Sequence, residues 1–431
     1  MQPSYKNIKT SCAIVIGLDS VQGLQSARIL AQRNVQVIAI AKDPKYYSCR
    51  TRVCQDIIFS DTNSEELIES LIALGARLDH KAVLFPCQDE SVLLVSRHRR
   101  ELESRFHVVL PAPETVELLM HKASFYRYAQ KKGLAIPQTF ILETRDEAER
   151  AAQSLQFPCI LKPSFRSPEW NQYTSQKAFK VLSCEELLSL YEEYHGLADV
   201  LIAQDWIDGV DTDHFTCNCY FDAHSNPLVT FTSKKIRQWP PETGQACLAE
   251  EFRNDAVLQE TLRLYQGVKF RGLSYLEMKR DRRSGQYFMI EPNVGRPTGR
   301  AIMAEAGGIE LLYTMYCDAI GLPLPENREQ KFTGVKWIHE LRDIQSAMYH
   351  WRQGNLTLTE WRRSLRGQKT RVLFSWRDPL PFFCALLSAI PTSLSSRERM
   401  SYQERQLYQM DQMGGDSAKR NTQISLSASK S

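Results

Sequence analysis

Short apolar runs alternate with amphipathic stretches over residues 12–110 of the chain. The runs CAIVIGL, VQVIAIA, KAVLFPC and FHVVLP have the length of buried strands, and QGLQSARILAQRN between the first two carries helical spacing. Repetition of strand, helix and strand is typical of a parallel sheet whose strands are connected through crossover helices. The pattern therefore predicts an α/β unit at the start of the chain.

The turn after the first predicted strand contains two glycines. Gly17 ends the strand and Gly23 opens the helix, as in a nucleotide-binding turn, but GLDSVQG matches neither GxGxxG nor GxxxxGK[ST]. A structural role, in a turn that needs the backbone freedom of glycine, is the better interpretation. We therefore predict a Rossmann-like structural domain over residues 1–110.

The pattern changes at Pro111, where a proline-punctuated linker begins. A helix containing HKASFYRYAQKKG follows, and then the buried strand CILKP with Lys162 at its end. The polar, turn-rich segment 165–177 predicts an exposed, mobile loop. The later strands VLIAQDW, HFTCNCYF and LVTFTSKKI indicate a second unit of mixed α and β structure over residues 111–328.

Residues 329–396 contain AMYHWRQG and LTLTEWRRSL, which predict a helical C-terminal extension. Its apolar piece PLPFFCALLSAIP is bounded by prolines and is shorter than the roughly 20 residues that span a bilayer. We interpret this piece as a packed helix, with contact to a membrane surface as the lesser alternative. Residues 397–431 are rich in Ser, Gln, Lys and Arg, and we expect a disordered tail there.

Composition and charge exclude several classes of function. The 54 basic and 50 acidic residues give a net charge of +4, which does not predict a nucleic-acid surface. Eleven cysteines without a CxxC pair and nine histidines without HExxH provide no zinc-ligand spacing and indicate reduced thiols. The N-terminal stretch lacks the apolar core and cleavage site of a signal peptide. We expect a cytoplasmic protein without a transmembrane segment, a nucleic-acid partner or a transition-metal site.

The most informative stretch is LEMKRDRRSGQYFMIEPN, residues 276–293. It predicts two strands joined by a three-residue loop, residues 283–285, in which Gly285 takes the left-handed conformation. This register places Met278 opposite Ile290, so that one face of the hairpin is apolar and packs on the core.

On the other face of this hairpin the same register places Glu277 directly opposite Glu291, with Asn293 two residues further on the same side. Two carboxylates at the short cross-strand distance repel each other. Magnesium would remove that penalty, because it prefers carboxylate and amide oxygens and completes its shell with water and phosphate oxygens. The alternative is that two acids merely lie on a solvated sheet face.

With these residues the chain resembles the ATP-grasp superfamily, in particular the carboxylate–amine ligases related to D-aspartate ligase and to the ATP-binding part of carbamoyl-phosphate synthetase. The resemblance covers residues 12–390. It implies a Rossmann-like pre-ATP-grasp domain followed by a two-subdomain ATP-grasp α+β fold. In that family an acid and, after a hairpin, Glu-x-Asn bind the magnesium ions of ATP, and Glu277, Glu291 and Asn293 match these ligands.

The resemblance also implies an ATP site. Its phosphate contacts match Lys122 and Lys162, with further positive charge from Lys177, Lys235 and Arg237. The hinge between the two ATP-clasping subdomains falls near residues 204–209. Its adenine contacts match Gln204, Asp205, Trp206 and Ile207, and the ribose contact is Asp213 before Asp211. The family usually has Glu at the position of Gln204. For the surface lysines, a solvated position is the alternative.

The family commonly has an arginine two residues after the asparagine ligand, which binds the carboxylate or stabilises developing charge. Here Arg296 is displaced by one position and Arg300 is a second candidate, so the choice between them stays open. Segment 165–177 resembles the family's phosphate-covering loop in position but lacks its glycines. Trp170 and Tyr173 are candidates for the part of this loop that closes as a lid.

The function that the resemblance implies is an ATP-dependent ligase, which activates a small-molecule carboxylate as an acyl phosphate and joins it to an amine. Its cofactors would be ATP and Mg²⁺, with Mn²⁺ as a substitute, and a homodimer is possible. One alternative is an ATP-binding scaffold or regulatory protein with little turnover. A minor alternative is an ATP-dependent carboxylase, against which no AMKM-like biotin-carrier run occurs in the chain.

Overall fold

The structure is a computed structural model that describes residues 11–165, 167–174, 176–241 and 244–389. The predicted disordered tail, residues 397–431, lies outside the described residues. Three sheets organise the described part of the chain: a parallel sheet of five strands, an antiparallel sheet of four strands and a mainly antiparallel sheet of seven strands.

The first unit is the predicted α/β unit with a parallel sheet. Its strand order is β3-β2-β1-β4-β5, and all neighbouring strands are parallel. The strands are β1 (Ala13–Ile16), β2 (Val37–Ala41), β3 (Asp56–Phe59), β4 (Ala82–Pro86) and β5 (Phe106–His107). The helices are α1 (Val21–Gln32), α2 (Glu66–Gly75), α3 (Asp89–Arg97) and α4 (Arg99–Leu102). Strands β1, β2 and β4 are buried along their whole length, which explains their uninterrupted apolar sequences.

The turn between β1 and α1 needs glycine for steric reasons. Gly17 has a φ of +87°, and a Cβ added at Gly23 would lie 2.1 Å from the Gly17 carbonyl oxygen. Ser20 caps α1 by accepting a hydrogen bond of 3.0 Å from the Gly23 N–H. The two glycines therefore allow the helix to begin directly above the strand end.

The second unit begins with a helical hairpin and a small antiparallel sheet of order β6-β9-β7-β8. The helices are α5 (Pro113–Met120), α6 (Lys122–Lys132), α7 (Arg145–Ser154), α8 (Pro168–Tyr173) and α9 (Cys184–Tyr194). The strands are β6 (Thr139–Leu142), β7 (Cys159–Pro163), β8 (Phe179–Val181) and β9 (Leu201–Asp205). Thr144 caps α7 in a reciprocal box with Glu147, which fixes where that helix begins.

The large sheet has the order β14-β13-β10-β11-β12-β15-β16. Its strands are β10 (His214–Phe221), β11 (Pro227–Trp239), β12 (Gln245–Glu251), β13 (Gly272–Arg280), β14 (Tyr287–Val294), β15 (Lys336–Ile338) and β16 (Lys369–Arg371). The accompanying helices are α10 (Asp255–Gly267), α11 (Ala301–Ala306), α12 (Leu311–Ile320), α13 (Glu340–Arg352), α14 (Leu358–Ser364) and α15 (Leu380–Ala389).

The C-terminal extension contains the expected helices α13, α14 and α15, but it is not only helical. Strand β15 pairs with β12, and β16 pairs with β15, so that the extension continues the large sheet. Each of these strands has only three residues. A run that short carries no readable alternation of apolar and polar residues, which is why the sequence did not reveal it.

Segment 165–177 is not simply an exposed loop, because its described part contains helix α8. The Trp170 side chain is fully buried, and its ring lies 5.2 Å from the ring of Tyr194 and 6.1 Å from that of Phe179. Its indole N–H donates to the Gln176 carbonyl at 2.9 Å. Trp170 is therefore a core residue of the small-sheet subdomain, and the prediction that it forms a mobile lid is wrong. Tyr173 is exposed.

A buried ion pair connects the C-terminal extension to the first unit. Arg28 of α1 donates from Nε to Asp378 at 2.9 Å, and its remaining donors reach the carbonyls of Val372, Leu373 and Asp378. Thr51 donates its hydroxyl to the same Asp378 carboxylate at 2.6 Å. Both charged side chains are at most 2% exposed. Because water cannot stabilise either charge, each one is stabilised by the opposite charge of its partner.

In the described part of the chain, we find no helix with both the length and the apolar character needed to cross a bilayer.

Replacing Arg28 with Met should lower the free energy of unfolding by about 3–5 kcal/mol, because it leaves the Asp378 carboxylate buried without a cation. Urea unfolding monitored by circular dichroism measures this loss as a shift of the unfolding midpoint. The matched control is Arg97→Met, whose pair with Glu117 is more than half exposed and contributes about 0–1 kcal/mol. Equal, small changes in the two variants would contradict this account of how the extension is held.

Candidate active site

The hairpin of β13 and β14 fixes the spacing of two acids near its centre. Glu277 and Glu291 are cross-strand partners, as the sequence predicts. The connecting loop is longer than the predicted three residues, since Asp281 N donates to the Gln286 carbonyl at 2.8 Å. Gly285 has the expected left-handed φ of +74°. The pairing of the two acids therefore does not depend on the loop length that the sequence suggested.

A β-bulge next to the acids compensates for the longer loop. Met278 faces Met289, so the predicted pairing of Met278 with Ile290 is wrong. The physical reason is that β14 carries one more residue than β13 between the loop and the acids. The carbonyl of the extra residue, Ile290, accepts a hydrogen bond of 3.0 Å from the Tyr126 hydroxyl. Helix α6 thus anchors the bulge.

Each acid of the pair has its own cation. Glu291 lies 3.2 Å from Lys122 Nζ at the start of α6, and Glu277 lies 3.5 Å from Arg300. Burial alone would raise the pKa of Glu291, but the charges of Lys122 and Arg296 outweigh it and lower that pKa. Burial likewise opposes the charge of Lys122, and Glu291 reverses the effect and raises the lysine pKa. Both partners of this pair are therefore charged near neutral pH.

Asn293 completes the group of oxygen donors that the sequence predicts. Its side-chain oxygen accepts from Arg296 Nη2 at 2.6 Å. Arg296 also donates to Asp89 of α3 and to the hydroxyl of Tyr275. The guanidinium of Arg296 is thus occupied by fixed protein partners, and it positions Asn293 from the side of the first unit.

These residues line a cleft of about 560 Å³. The ionisable side chains in its wall include five cationic ones, Lys177, Lys235, Arg296, Arg300 and Arg342, and three acidic ones, Asp19, Glu277 and Glu291. Of the predicted site residues, the cleft brings together Lys177, Lys235, Glu277, Glu291, Asn293, Arg296 and Arg300. The excess of positive charge favours an anionic ligand.

Arg300, which lines the cleft, has a guanidinium donor that no described residue uses. Its Nη2 donates to Thr216 at 2.7 Å, whereas its Nε is buried and has no hydrogen-bond partner among the described residues. The residue as a whole is only 8% exposed. A buried donor without a partner is costly unless a ligand accepts from it. This distinguishes Arg300 from Arg296, whose donors are used by the protein.

Arg237 lies outside the cleft, contrary to the prediction that it serves the phosphate or acyl group. A bulge after Lys235 leaves Ile236 unpaired, so that Arg237 faces the opposite side of β11 from Lys235. The Arg237 guanidinium donates to Asp343 at 2.8–2.9 Å and to Ser364 at 2.7 Å, and these partners belong to α13 and α14. Its role is to hold the C-terminal extension.

Lys235 remains in the cleft and donates to Gln238 at 2.7 Å. Burial lowers the pKa of Lys235, and nearby Glu277 opposes that change. The neighbouring His214 has a pKa well below its ordinary value, first because it is buried and then because Lys235 and Lys279 are close. His214 is therefore neutral at neutral pH and can accept or donate a hydrogen bond.

Lys162 lies on the Glu291 side of the site, next to the Lys122–Glu291 pair. Its ammonium donates to the Tyr126 hydroxyl at 3.0 Å and lies 4.9 Å from the centre of the Tyr126 ring. It also contributes to the lowered pKa of Glu291. The two lysines that the sequence assigned to phosphates are thus both near Glu291.

The predicted hinge, residues 204–209, begins with the last two residues of β9 and does not line this cleft. Gln204 is buried and donates to Thr139 at 2.7 Å, and Asp205 accepts from the Gln156 N–H at 3.1 Å. The Trp206 ring has Lys180 and Lys279 near it, at 4.6 and 5.4 Å from its centre. Ile207 is nearly buried. Lys279, which is cross-strand to His214, is the link between the hinge and the cleft.

The two aspartates after the hinge differ in the number of hydrogen bonds that their carboxylates accept. Asp213 accepts from the Val210 N–H at 2.9 Å and from Arg282 at 2.6 Å, and it is buried. Asp211 accepts from the Gln238 N–H at 3.0 Å, and burial raises its pKa while Lys235 opposes the change. The Asp213 carboxylate is therefore already paired within its own turn and with Arg282, whereas Asp211 lies beside the cleft residue Gln238.

Several cleft residues were not identified from the sequence. They come from the turn before α1 and its first residues, from the start of β10 and from the C-terminal extension, namely Asp19, Ser20, Gln22, His214, His339 and Arg342. None belongs to a recognisable motif, and they are far apart along the chain. Arg342 donates to Gln245 at 2.7 Å. Only the packing of the extension against β12 brings it to the site.

The donor set fits a divalent cation carrying a polyphosphate. Two carboxylates and an amide oxygen are the ligands that Mg²⁺ accepts, and the lysines and Arg300 supply charge for phosphate oxygens. No group of three or more His, Cys, Asp or Glu suited to a metal occurs among the described residues. A metal held by two acids and an amide would therefore depend on ligand oxygens to complete its shell.

No family model matches the chain. Among curated proteins, D-aspartate ligase of Enterococcus faecium is 26% identical over 276 residues, which are 61% of this chain and 60% of that protein. The large chain of carbamoyl phosphate synthase from Pyrococcus furiosus is 22% identical over 349 residues, which cover 76% of this chain and 32% of that protein. The chain thus matches less than two thirds of the length of either relative.

Solved structures share the fold. N5-carboxyaminoimidazole synthetase from Staphylococcus aureus has a TM-score of 0.58 and 12% identity, with 74% of this chain and 80% of that chain covered. The biotin carboxylase domain of 2-oxoglutarate carboxylase from Hydrogenobacter thermophilus, determined with MgADP and bicarbonate, has a TM-score of 0.59 and 15% identity over 75% of this chain and 72% of that chain. With the cross-strand acids and these likenesses, the chain has an ATP-grasp fold and is similar in sequence to carboxylate–amine ligases that share it.

Proposed function

We propose that the protein is an ATP-dependent ligase that joins a small-molecule carboxylate to an amine through an acyl phosphate and releases ADP and phosphate. The observation that carries the proposal is the cross-strand pairing of Glu277 and Glu291 in a cleft with an excess of cations. The similarity to D-aspartate ligase supports the same reaction class. We further propose a cytoplasmic location and a homodimer.

Glu277, Glu291 and Asn293 would hold magnesium, and Mn²⁺ would suit the same oxygen donors. The metal supplies neutralising charge to the triphosphate when it is bound. Lys122 and Lys162 would contact the phosphates from the Glu291 side of the site. Lys122 Nζ already lies 3.2 Å from Glu291. Nucleotide binding would therefore move the lysine from this carboxylate toward a phosphate.

Lys177 and Lys235 would add positive charge from the cleft wall. The hinge would receive the adenine, with Gln204, Asp205, Trp206 and Ile207 as its contacts. Asp211 is the better candidate for the ribose, with Asp213 in second place, because the Asp213 carboxylate is already paired with Arg282.

Arg300 would bind the reacting carboxylate and its developing negative charge. Its buried Nε without a partner is a preorganised donor, and such donors are worth most where water is excluded. Arg296 would act indirectly, by positioning Asn293. His214, which is neutral because burial and nearby cations lower its pKa, would donate or accept a hydrogen bond at the substrate and would not serve as the general base.

Glu291→Gln and Glu277→Gln should each lower kcat/KM about 10²–10³-fold, because each removes one charge that would face the metal. The measurement is magnesium-dependent phosphate release with paired carboxylates and amines as substrates. The matched control is Glu143→Gln, an exposed carboxylate paired with Arg127 on α6, which should leave turnover unchanged.

The same assay separates the alternatives. A scaffold would bind nucleotide in a magnesium-dependent manner but would release no amine-dependent phosphate. A carboxylase would release phosphate with bicarbonate and without an amine. Full turnover in both glutamine variants would show that the two acids do not hold the metal.

Arg300→Lys should lower kcat by about 10²-fold with little loss of stability, because the ammonium keeps the charge but loses the planar donors. Arg237→Lys provides the comparison, since Arg237 is equally buried but pairs with Asp343. That variant should lower the unfolding midpoint in urea and leave kcat nearly unchanged at low temperature. A loss of kcat in Arg237→Lys without a change in its urea midpoint would show that Arg237 acts in the reaction.

A further inference from the structure

Exposed large apolar side chains are concentrated in the C-terminal extension. Of the eighteen such side chains among the described residues, nine lie between Ile344 and Leu387. Exposed apolar residues scattered singly need no explanation, whereas a cluster marks an interaction surface. Four of the nine line a small apolar cavity formed by α13 and α14, and the other five lie in α15 or in the segment just before it.

Helix α15 is apolar on both faces. Its inner face, with Pro381 and Ala385, is buried, and the helix packs against the short helix at residues 47–50. Its outer face carries Leu380, Phe383 and Leu387, which recur at helical spacing. Phe383 is 50% exposed and Leu387 is 68% exposed, and α15 contains no charged residue. A soluble helix normally has a polar outer face.

The apolar surface continues into the segment before α15. The Trp376 side chain is 88% exposed, and its ring lies 4.8 Å from that of Phe374. The Phe374 ring lies 5.3 Å from Phe382, which in turn lies 5.5 Å from Phe383. We call the exposed set Trp376, Leu380, Phe383, Leu386 and Leu387 the outer apolar surface.

Exposed arginines lie in the segments next to this surface. Arg371 stacks on the ring of Phe374, and Arg377 directly follows Trp376. Arg50 and Arg52 come from the segment on which α15 packs. These four arginines are exposed, and no described carboxylate lies within 4.0 Å of them. The acids near these segments already have partners: Asp378 pairs with Arg28, Glu305 pairs with Arg33, and Glu340 accepts from the Leu373 and Phe374 N–H groups.

We propose that the outer apolar surface docks on an anionic lipid bilayer. Leucine and phenylalanine side chains would enter the headgroup region, Trp376 would lie at the interface, and the arginines would contact lipid phosphates. Nucleic acid would satisfy the arginines but offers no partner for the outward leucines of α15. The protein would thus associate with a membrane surface peripherally, in addition to the proposed ligase activity and independently of it.

Co-sedimentation of the full chain with vesicles tests this proposal. Binding is expected to phosphatidylcholine vesicles that contain about one third phosphatidylglycerol, and not to pure phosphatidylcholine. Phe383→Ser with Leu387→Ser, and separately Arg371→Gln with Arg377→Gln, should each weaken binding at least about tenfold. The controls are Leu182→Ser and the pair Arg100→Gln with Arg105→Gln, exposed positions far along the chain from α15. They should bind as the unmodified chain does.

Other occupants of the surface give different results. If residues 390–431 cover it, the full chain will not bind vesicles and a chain ending at residue 389 will. If a second copy covers it, the full chain will be a dimer by light scattering, and the variant with Phe383→Ser and Leu387→Ser will be a monomer that binds no vesicles. If nucleic acid is the partner, duplex DNA will bind, and the same double variant will retain that binding. Any of these outcomes, or vesicle binding that none of the variants weakens, overturns the proposal.

Discussion

The repulsion between two carboxylates held opposite each other on adjacent strands is the constraint around which the site is built. Hairpin pairing forces Glu277 and Glu291 together, and such a pair is destabilising on its own. One cation pairs with each acid and offsets the repulsion: Lys122 from α6 pairs with Glu291, and Arg300 from the segment after β14 pairs with Glu277. The same arrangement that relieves the repulsion leaves oxygen donors and positive charge facing one cleft. A metal–polyphosphate ligand suits both.

Each unit of the chain contributes to that cleft. The first unit supplies Asp89, which orients Arg296 and through it Asn293. The C-terminal extension supplies Arg342 and is itself held by two buried pairs, Arg28 with Asp378 and Arg237 with Asp343. These pairs bury charges whose partners are distant in sequence, so they favour a single arrangement of the extension. The proposed membrane surface lies on that same extension, outside the cleft.

Local patterns were sufficient for much of the fold. Uninterrupted apolar runs separated by amphipathic helices predicted the parallel sheet, and the pairing of the central acids followed from a glycine-containing turn between two alternating strands. Two predictions failed at β-bulges, at Ile236 and at Ile290. A bulge depends on how the partner strand packs, so the alternation of apolar and polar residues within one strand does not predict it. The burial of Trp170 was missed because its ring partners Phe179 and Tyr194 lie outside the polar segment that contains it.

The sequence by itself determined the order of the units and the cross-strand acids with their amide neighbour. These features depend on neighbours within a strand, a turn or a hairpin. Only the tertiary structure decided that Arg237 points away from the site, that Arg300 keeps an unused donor, and that the extension forms part of the cleft wall. Those outcomes depend on contacts between residues tens to hundreds of positions apart, which no local spacing encodes.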